Sequence, residues 1–171
     1  MACKLNAPTL LALVLAAGLP ARALSQQAPG PESSVLVGPA RYDLTKEGTG
    51  FAGKVAVAFR PVRPLVIEPS LGYLTYRNDF GQRSHWFFPE LSFQAEAPLG
   101  RWKPYAGAGG GAGVASRVGS DHWYGTLHAV GGLRVRLGRT WGARAEIRWR
   151  AVPPWSGHTI DFGFGLLRGM F

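Results

Sequence analysis

Cysteine is nearly absent from this chain of 171 residues: the only one, Cys3, lies ahead of the first apolar run rather than behind it. That excludes disulfides, zinc–thiolate sites and a cysteine nucleophile from everything downstream, and a lipid-attachment cysteine placed after the run. Acidic residues are few as well, 10 against 19 lysines and arginines. A basic chain is a candidate for nucleic acid, but no stripe of basic residues interleaved with aromatics shares one face. Anionic lipid, not nucleic acid, is therefore the expected partner. Long hydrophobic runs are missing too. Past residue 23 nothing approaches the roughly 18 consecutive apolar residues of a membrane helix, so any crossing of a bilayer falls to strands.

What is there begins with a targeting pattern. Lys4 precedes the apolar run 10–19 (LLALVLAAGL), and Pro20 and the small-x-small triplet Ala21-Arg22-Ala23 follow it. These are the parts of a secretory signal peptide cut after Ala23; for an uncleaved membrane helix the run is too short. Residues 1–23 are therefore set aside. Residues 24–33 (LSQQAPGPES) are polar with two prolines and read as a disordered leader, and 34–171 as one domain. An exported domain without disulfides needs another source of stability, which a fully hydrogen-bonded closed sheet supplies.

The stretch 140–152 (TWGARAEIRWRAV) organises the rest. Trp141, Ala143, Ala145, Ile147, Trp149 and Ala151 share one parity; Gly142, Arg144, Glu146, Arg148 and Arg150 share the other. Period two means a strand with one apolar and one charged face. In a soluble sheet the apolar face looks into a core, whereas in a sheet closed within lipid the two faces are exchanged. Seven more segments, 34–44, 50–62, 64–77, 85–99, 102–117, 121–137 and 157–171, read as strands, the first only weakly patterned. In the last, Ile160, Phe162, Phe164 and Leu166 oppose Asp161, Gly163 and Gly165 before the parity slips, so a bulge near 166–168 is needed to turn Phe171 outward. The glycine-rich 104–113 lacks the Lys-Ser/Thr pair and the following helix of a phosphate loop. As a strand it puts Gly107, Gly109, Gly111 and Gly113 on one parity with Tyr105, leaving room for long side chains in a narrow interior.

The connections alternate between tight (62–63, 100–101, 138–139) and longer (45–49, 78–84, 118–120, 153–156). Short turns at one end and longer loops at the other describe an up-and-down barrel with both termini on the short-turn, periplasmic side. Arg60, Arg63, Arg101, Lys103, Arg136, Arg139 and Arg168 gather at the short-turn end, where phospholipid headgroups would receive them. Trp102 and Trp141, with Phe59 and Phe171, fall near that end, and Trp123 and Trp149, with Tyr73 and Trp155, near the other, as interfacial belts require. The expected fold is all-β: an eight-stranded antiparallel up-and-down transmembrane β-barrel with a polar, charge-paired lumen.

On these features the chain resembles the outer-membrane β-barrel domain family, the OmpA-like and OmpX-like eight-stranded barrels, over residues 34–171. The resemblance rests on the signal peptide, the eight alternating strands, Pro104-Tyr105-Ala106-Gly107-Ala108-Gly109-Gly110-Gly111 entering the fifth strand, and the C-terminal aromatic. It implies an outer-membrane location and a terminal Phe171 that serves as part of the recognition signal for the barrel-assembly machinery. Gly169 departs from the apolar residue usual two before the end. No peptidoglycan-binding domain follows, so no cell-wall tether is expected. Phospholipid or lipopolysaccharide is the implied lipid partner, and a monomer the expected state. None of these motifs names an activity.

The inward parity collects Lys54, Arg60, Glu68, Glu90, Glu96, Arg134, Arg136, Arg144, Glu146, Arg148, Arg150 and Asp161. Eight strands leave little cross-section, so these charges are expected to pair and plug the lumen; a narrow channel built from them is the alternative. His128 falls inward alone, while His85, His122 and His158 fall near the longer loops. A lipid A-modifying enzyme would need Ser, His and an acid near the outer leaflet. Ser84 with His85, or Ser156 with His158 and Glu146, are the sets on offer, but the deacylase-like His-x-Ser-Asn pattern is lacking. The expectation is a structural or loop-presenting barrel with no catalytic residue, cofactor or metal. A soluble periplasmic barrel that binds a ligand inside is a further alternative, and it requires apolar residues inward.

Overall fold

The computed structural model describes residues 30–42, 48–77, 83–117, 120–152 and 157–169. They form eight strands: β1 (Glu32–Tyr42), β2 (Thr49–Val62), β3 (Leu65–Arg77), β4 (Arg83–Glu96), β5 (Trp102–Arg117), β6 (Ser120–Arg136), β7 (Trp141–Ala151) and β8 (His158–Arg168). Each pairs antiparallel with the next, and β8 returns to β1, so the sheet is closed and no edge is left. Among the described residues no helix is long and apolar enough to cross a membrane.

Which way the faces turn is decided on β7. Trp141, Ile147 and Trp149 are 50 %, 45 % and 40 % exposed, whereas Arg144 and Arg148 are 2 % and 0 %. The soluble alternative requires the reverse. Val35, Val55, Leu71, Phe93, Leu127 and Phe164 continue the apolar exterior around the cylinder. A closed sheet with an apolar outside and ionised inside is a transmembrane barrel: lipid solvates the side chains, and the ladder satisfies the backbone.

The ends differ. The short-turn end closes β2 to β3 through Arg63 and Pro64, with Val62 opposite Leu65, and a register shift between Phe59 and Val62 on the way. It closes β4 to β5 through Gly100, whose φ of +64° suits a residue without Cβ, with Leu99 bridged to Trp102. The interior at the longer-loop end is apolar. Tyr42, Leu74, Tyr76, Trp86, Phe88 and Val152 form a buried cluster there, with Tyr42 and Tyr76 stacked at 4.3 Å and Trp86 and Phe88 at 5.8 Å. The lumen is thus ionic through its lower and middle parts and aromatic at the top.

Three expectations need correction. The leader does not extend to residue 33: β1 starts at Glu32, which is buried and ion-paired, so its charge has a structural partner that composition could not show. β1 is weakly patterned in polarity, as expected: Leu36, Ala40 and Tyr42 turn inward and Val35, Val37 and Pro39 outward, apolar on both faces although burial alternates. The bulge near 166–168 is absent: β8 keeps an unbroken register with β7 through Arg168, and Leu167 simply points inward. Phe171 lies outside the described residues, as does Trp155. Finally, β4 ends at Glu96 rather than 99: past it the ladder is interrupted, and Leu99 is left as an isolated bridge to Trp102 around the turn at 100–101.

Glycines on β5 and β6 admit close approach. A Cβ on Gly109 would stand 2.0 Å from the Leu91 carbonyl oxygen and 2.7 Å from His128 Nε2; on Gly132 it would stand 2.5 Å from the Tyr105 hydroxyl. The space goes mainly to the neighbouring strand and to cross-strand side chains. We expect Gly109→Leu to abolish the heat-modifiable, faster-migrating band of the folded barrel on unboiled gels. Ala108→Leu, one residue away and facing outward, should leave it intact.

Candidate functional site

The lumen network draws on all eight strands. Towards the short turns, Glu32 (β1) and Glu96 (β4) share Arg60 (β2), at 3.0 and 3.1 Å from its Nη2. Arg134 (β6) spans the same pair at 3.1 and 2.9 Å and reaches up to Glu68 at 3.1 Å. Lys103 adds a longer contact of 3.9 Å to Glu96. In the middle, Glu68 (β3) is the hub: it accepts from Lys54 at 3.2 Å and from Arg144 at 2.7 and 2.9 Å. Glu146 (β7) accepts from Lys54 at 2.5 Å and from the Tyr105 hydroxyl at 2.7 Å, and it also contacts Arg144 and Arg148. Higher up, Glu90 (β4) holds Arg148 at 2.6 Å and Arg150 at 2.7 Å, and Arg150 turns its other nitrogen to Asp161 (β8) at 2.5 Å.

Each guanidinium is thereby given carboxylate oxygens, as a charge withdrawn from water requires. Arg134 also lies 3.9 Å above the Tyr105 ring, and Arg150 4.6 Å above that of Phe88, which joins the ionic layer to the aromatic one.

Of the twelve charges expected to pair in the lumen, the structure brings together eleven: Glu68, Glu90, Glu96, Arg134, Arg144, Glu146, Arg148 and Asp161, with Lys54, Arg60 and Arg150. Arg136 does not join, being exposed at the strand end. Arg60 and Lys103, expected to meet headgroups as well, turn inward onto Glu96. Glu32 and Tyr105 were missed as members. Glu32 shares its parity with Ser34, whose hydroxyl accepts from Arg144 at 3.0 Å, so extending the first strand by one pair would have found it. Trp102, Trp123, Trp141 and Trp149 are exposed on the exterior. Arg101 lies over Trp102, Arg168 over Trp141, and His158 stacks on Trp149.

The Ser84–His85 set does not form, and His158 does not meet Glu146. Ser84 faces inward and His85 outward, its Nδ1 2.7 Å from the Tyr73 hydroxyl. Ser156 lies outside the described residues, and exposed His158 is on the opposite face from Glu146. A different constellation does form: Ser92 Oγ lies 2.8 Å from His128 Nε2, and His128 Nδ1 lies 3.4 Å from Glu90 Oε1. The order matches a hydrolytic triad. Its surroundings do not: Ser92 is 0 % exposed, and Glu90 is already neutralised by Arg148 and Arg150. Among the described residues no cluster of His, Cys, Asp or Glu could hold a metal ion.

The chain matches no protein-family model and no curated protein in sequence. Solved structures do match. Neisserial surface protein A is similar with a TM-score of 0.65 and 16 % identity, covering 84 % of this chain and 99 % of that one. The fold is that of the eight-stranded outer-membrane barrels. The N-terminal barrel domain of Pseudomonas aeruginosa OprF gives 0.57 at 15 %, covering 84 % and 100 %. A de novo designed transmembrane β-barrel gives 0.54 at 14 %, covering 85 % and 100 %. At such identities the likeness concerns architecture alone, and the designed barrel shows that this architecture needs no biological task.

Removing the hub charge should destabilise the barrel. We expect Glu68→Gln, which keeps the volume but leaves Arg144 and Lys54 undercompensated, to cost about 3–5 kcal/mol. Arg136→Gln at the rim should cost under about 0.5 kcal/mol. Urea-dependent folding into lipid vesicles measures both.

Proposed function

We propose that the chain is an integral outer-membrane protein, with termini and short turns towards the periplasm, that serves structurally or by presenting its longer loops and carries out no catalysis. The observation that supports it most is the mutual neutralisation of carboxylates and guanidiniums through the lower and middle lumen, beneath an aromatic cap. A narrow interior filled in this way offers neither a reaction chamber nor a water path, which leaves the two rims and the loops to meet other molecules. The same reading includes a signal peptide cut after Ala23, recognition of Phe171 by the barrel-assembly machinery, a monomeric state, and lipid partners. Arg63, Arg101, Arg136, Arg139 and Arg168, all exposed near the short turns, would face phospholipid headgroups there.

Cell fractionation followed by gels run with and without boiling tests location and architecture together. The expected result is a heat-modifiable band in the outer membrane; recovery in the soluble periplasm would overturn the proposal. Planar bilayers containing the refolded chain should show no conductance steps, and steady single-channel currents would favour the channel instead. A second reading, a hydrolase, has the Ser92–His128–Glu90 arrangement in its favour. It requires labelling by a fluorophosphonate probe that Ser92→Ala removes; we expect no labelling of either protein.

A further inference from the structure

Among the described side chains every carboxylate lies in the lumen, and none stands beside the exposed arginines on the described part of the outer surface. At the longer-loop end three of them fall into one row. Arg77 and Arg83 are directly opposite each other across β3 and β4. Arg41 is opposite Thr49 across β1 and β2, and Thr49 precedes Gly50, which pairs with Tyr76. The row therefore reads Arg41, Thr49, Arg77, Arg83 over four consecutive strands, all on the outward parity and all exposed. With strands about 4.8 Å apart, Arg77 and Arg83 stand about 5 Å apart and Arg41 about 10 Å from Arg77. Like charges directly opposite destabilise a sheet unless something anionic lies between them.

The row crowns an apolar surface. Directly beneath Arg77 and Arg83 come Thr75 and His85, then Tyr73 and Phe87, then Leu71 and Pro89. Tyr73 Oη lies 2.7 Å from His85 Nδ1. When that hydroxyl donates, the ring proton sits on Nε2, adding a donor next to the arginines. Guanidinium forks match phosphate oxygens in pairs, and the aromatic and aliphatic columns below match acyl chains.

We propose that Arg41, Arg77 and Arg83, with His85, bind the phosphate-bearing headgroup of a membrane lipid at the longer-loop rim, its chains lying along Phe87 and Leu71. Free inorganic phosphate offers the same oxygens but gains nothing from those columns, which is why lipid is the assigned ligand. Asp43, Glu47 and Asp79 are near the row in sequence, outside the described residues, and are the competing partners. The proposal rests on the membrane-inserted reading above.

The test follows the arginine Nε and His85 ring signals by NMR, with the full barrel in nanodiscs of digalactosyldiacylglycerol, a bilayer lipid without phosphate, as phosphatidylglycerol is added. The Arg77, Arg83 and His85 signals should shift and saturate, and inorganic phosphate at the same concentration should leave them in place. Arg77→Gln with Arg83→Gln should weaken the His85 response about tenfold, roughly the worth of one charge-assisted hydrogen bond. Silent signals in a folded, heat-modifiable barrel overturn this inference alone, and point to Asp43, Glu47 and Asp79 as the partners. Equal shifts with inorganic phosphate reduce the row to an unspecific anion site and overturn the lipid assignment. A chain that does not insert into nanodiscs overturns both this and the reading beneath it.

Discussion

Everything in this barrel depends on charge compensation inside a closed sheet. A carboxylate or guanidinium taken out of water costs several kcal/mol unless opposite charges and hydrogen bonds replace its hydration. Here the replacements come from other strands: Glu68 on β3 is held by Lys54 of β2, Arg134 of β6 and Arg144 of β7. Because every strand contributes a member, the network acts on closure as a whole rather than on any one hairpin. It also guards the register. A slip of one residue on β7 would carry Arg144, Glu146, Arg148 and Arg150 into hydrocarbon and pull Ile147 and Trp149 into an ionic interior.

The same compensation shapes the outside. Among the described residues the acids are drawn into the lumen, arginine is the charge exposed at both rims, and the membrane-facing band between them is aliphatic and aromatic. The two ends of the interior are unequal as well. Ionic pairs fill the lower and middle parts, while Tyr42, Tyr76, Trp86 and Phe88 close the end beneath the longer loops. Ser92, His128 and Glu90 show why geometry must be read with its surroundings. The distances suit catalysis, but the carboxylate is already claimed by two arginines and the hydroxyl is sealed from any substrate.

The sequence by itself determined the strands, their faces and the two kinds of connection. Alternation with period two is a local property, and an interior ringed by only eight strands has room for little besides the side chains on the inward parity. That is why Arg144, Glu146, Arg148 and Glu68 were legible as lumen residues before any coordinates. Tertiary structure alone decided which charge meets which. Parity names a side but neither a height nor an angle around the axis, and those come from strand tilt and from the register at closure, where β8 meets β1. So Glu32 could pass for leader until β1 was seen to pair with β8 at Ser33 and Arg168, and the aromatic cap stayed hidden because its members come from separate strands. Arg77 and Arg83, six residues apart, became a facing pair only once the hairpin that joins them had set its register.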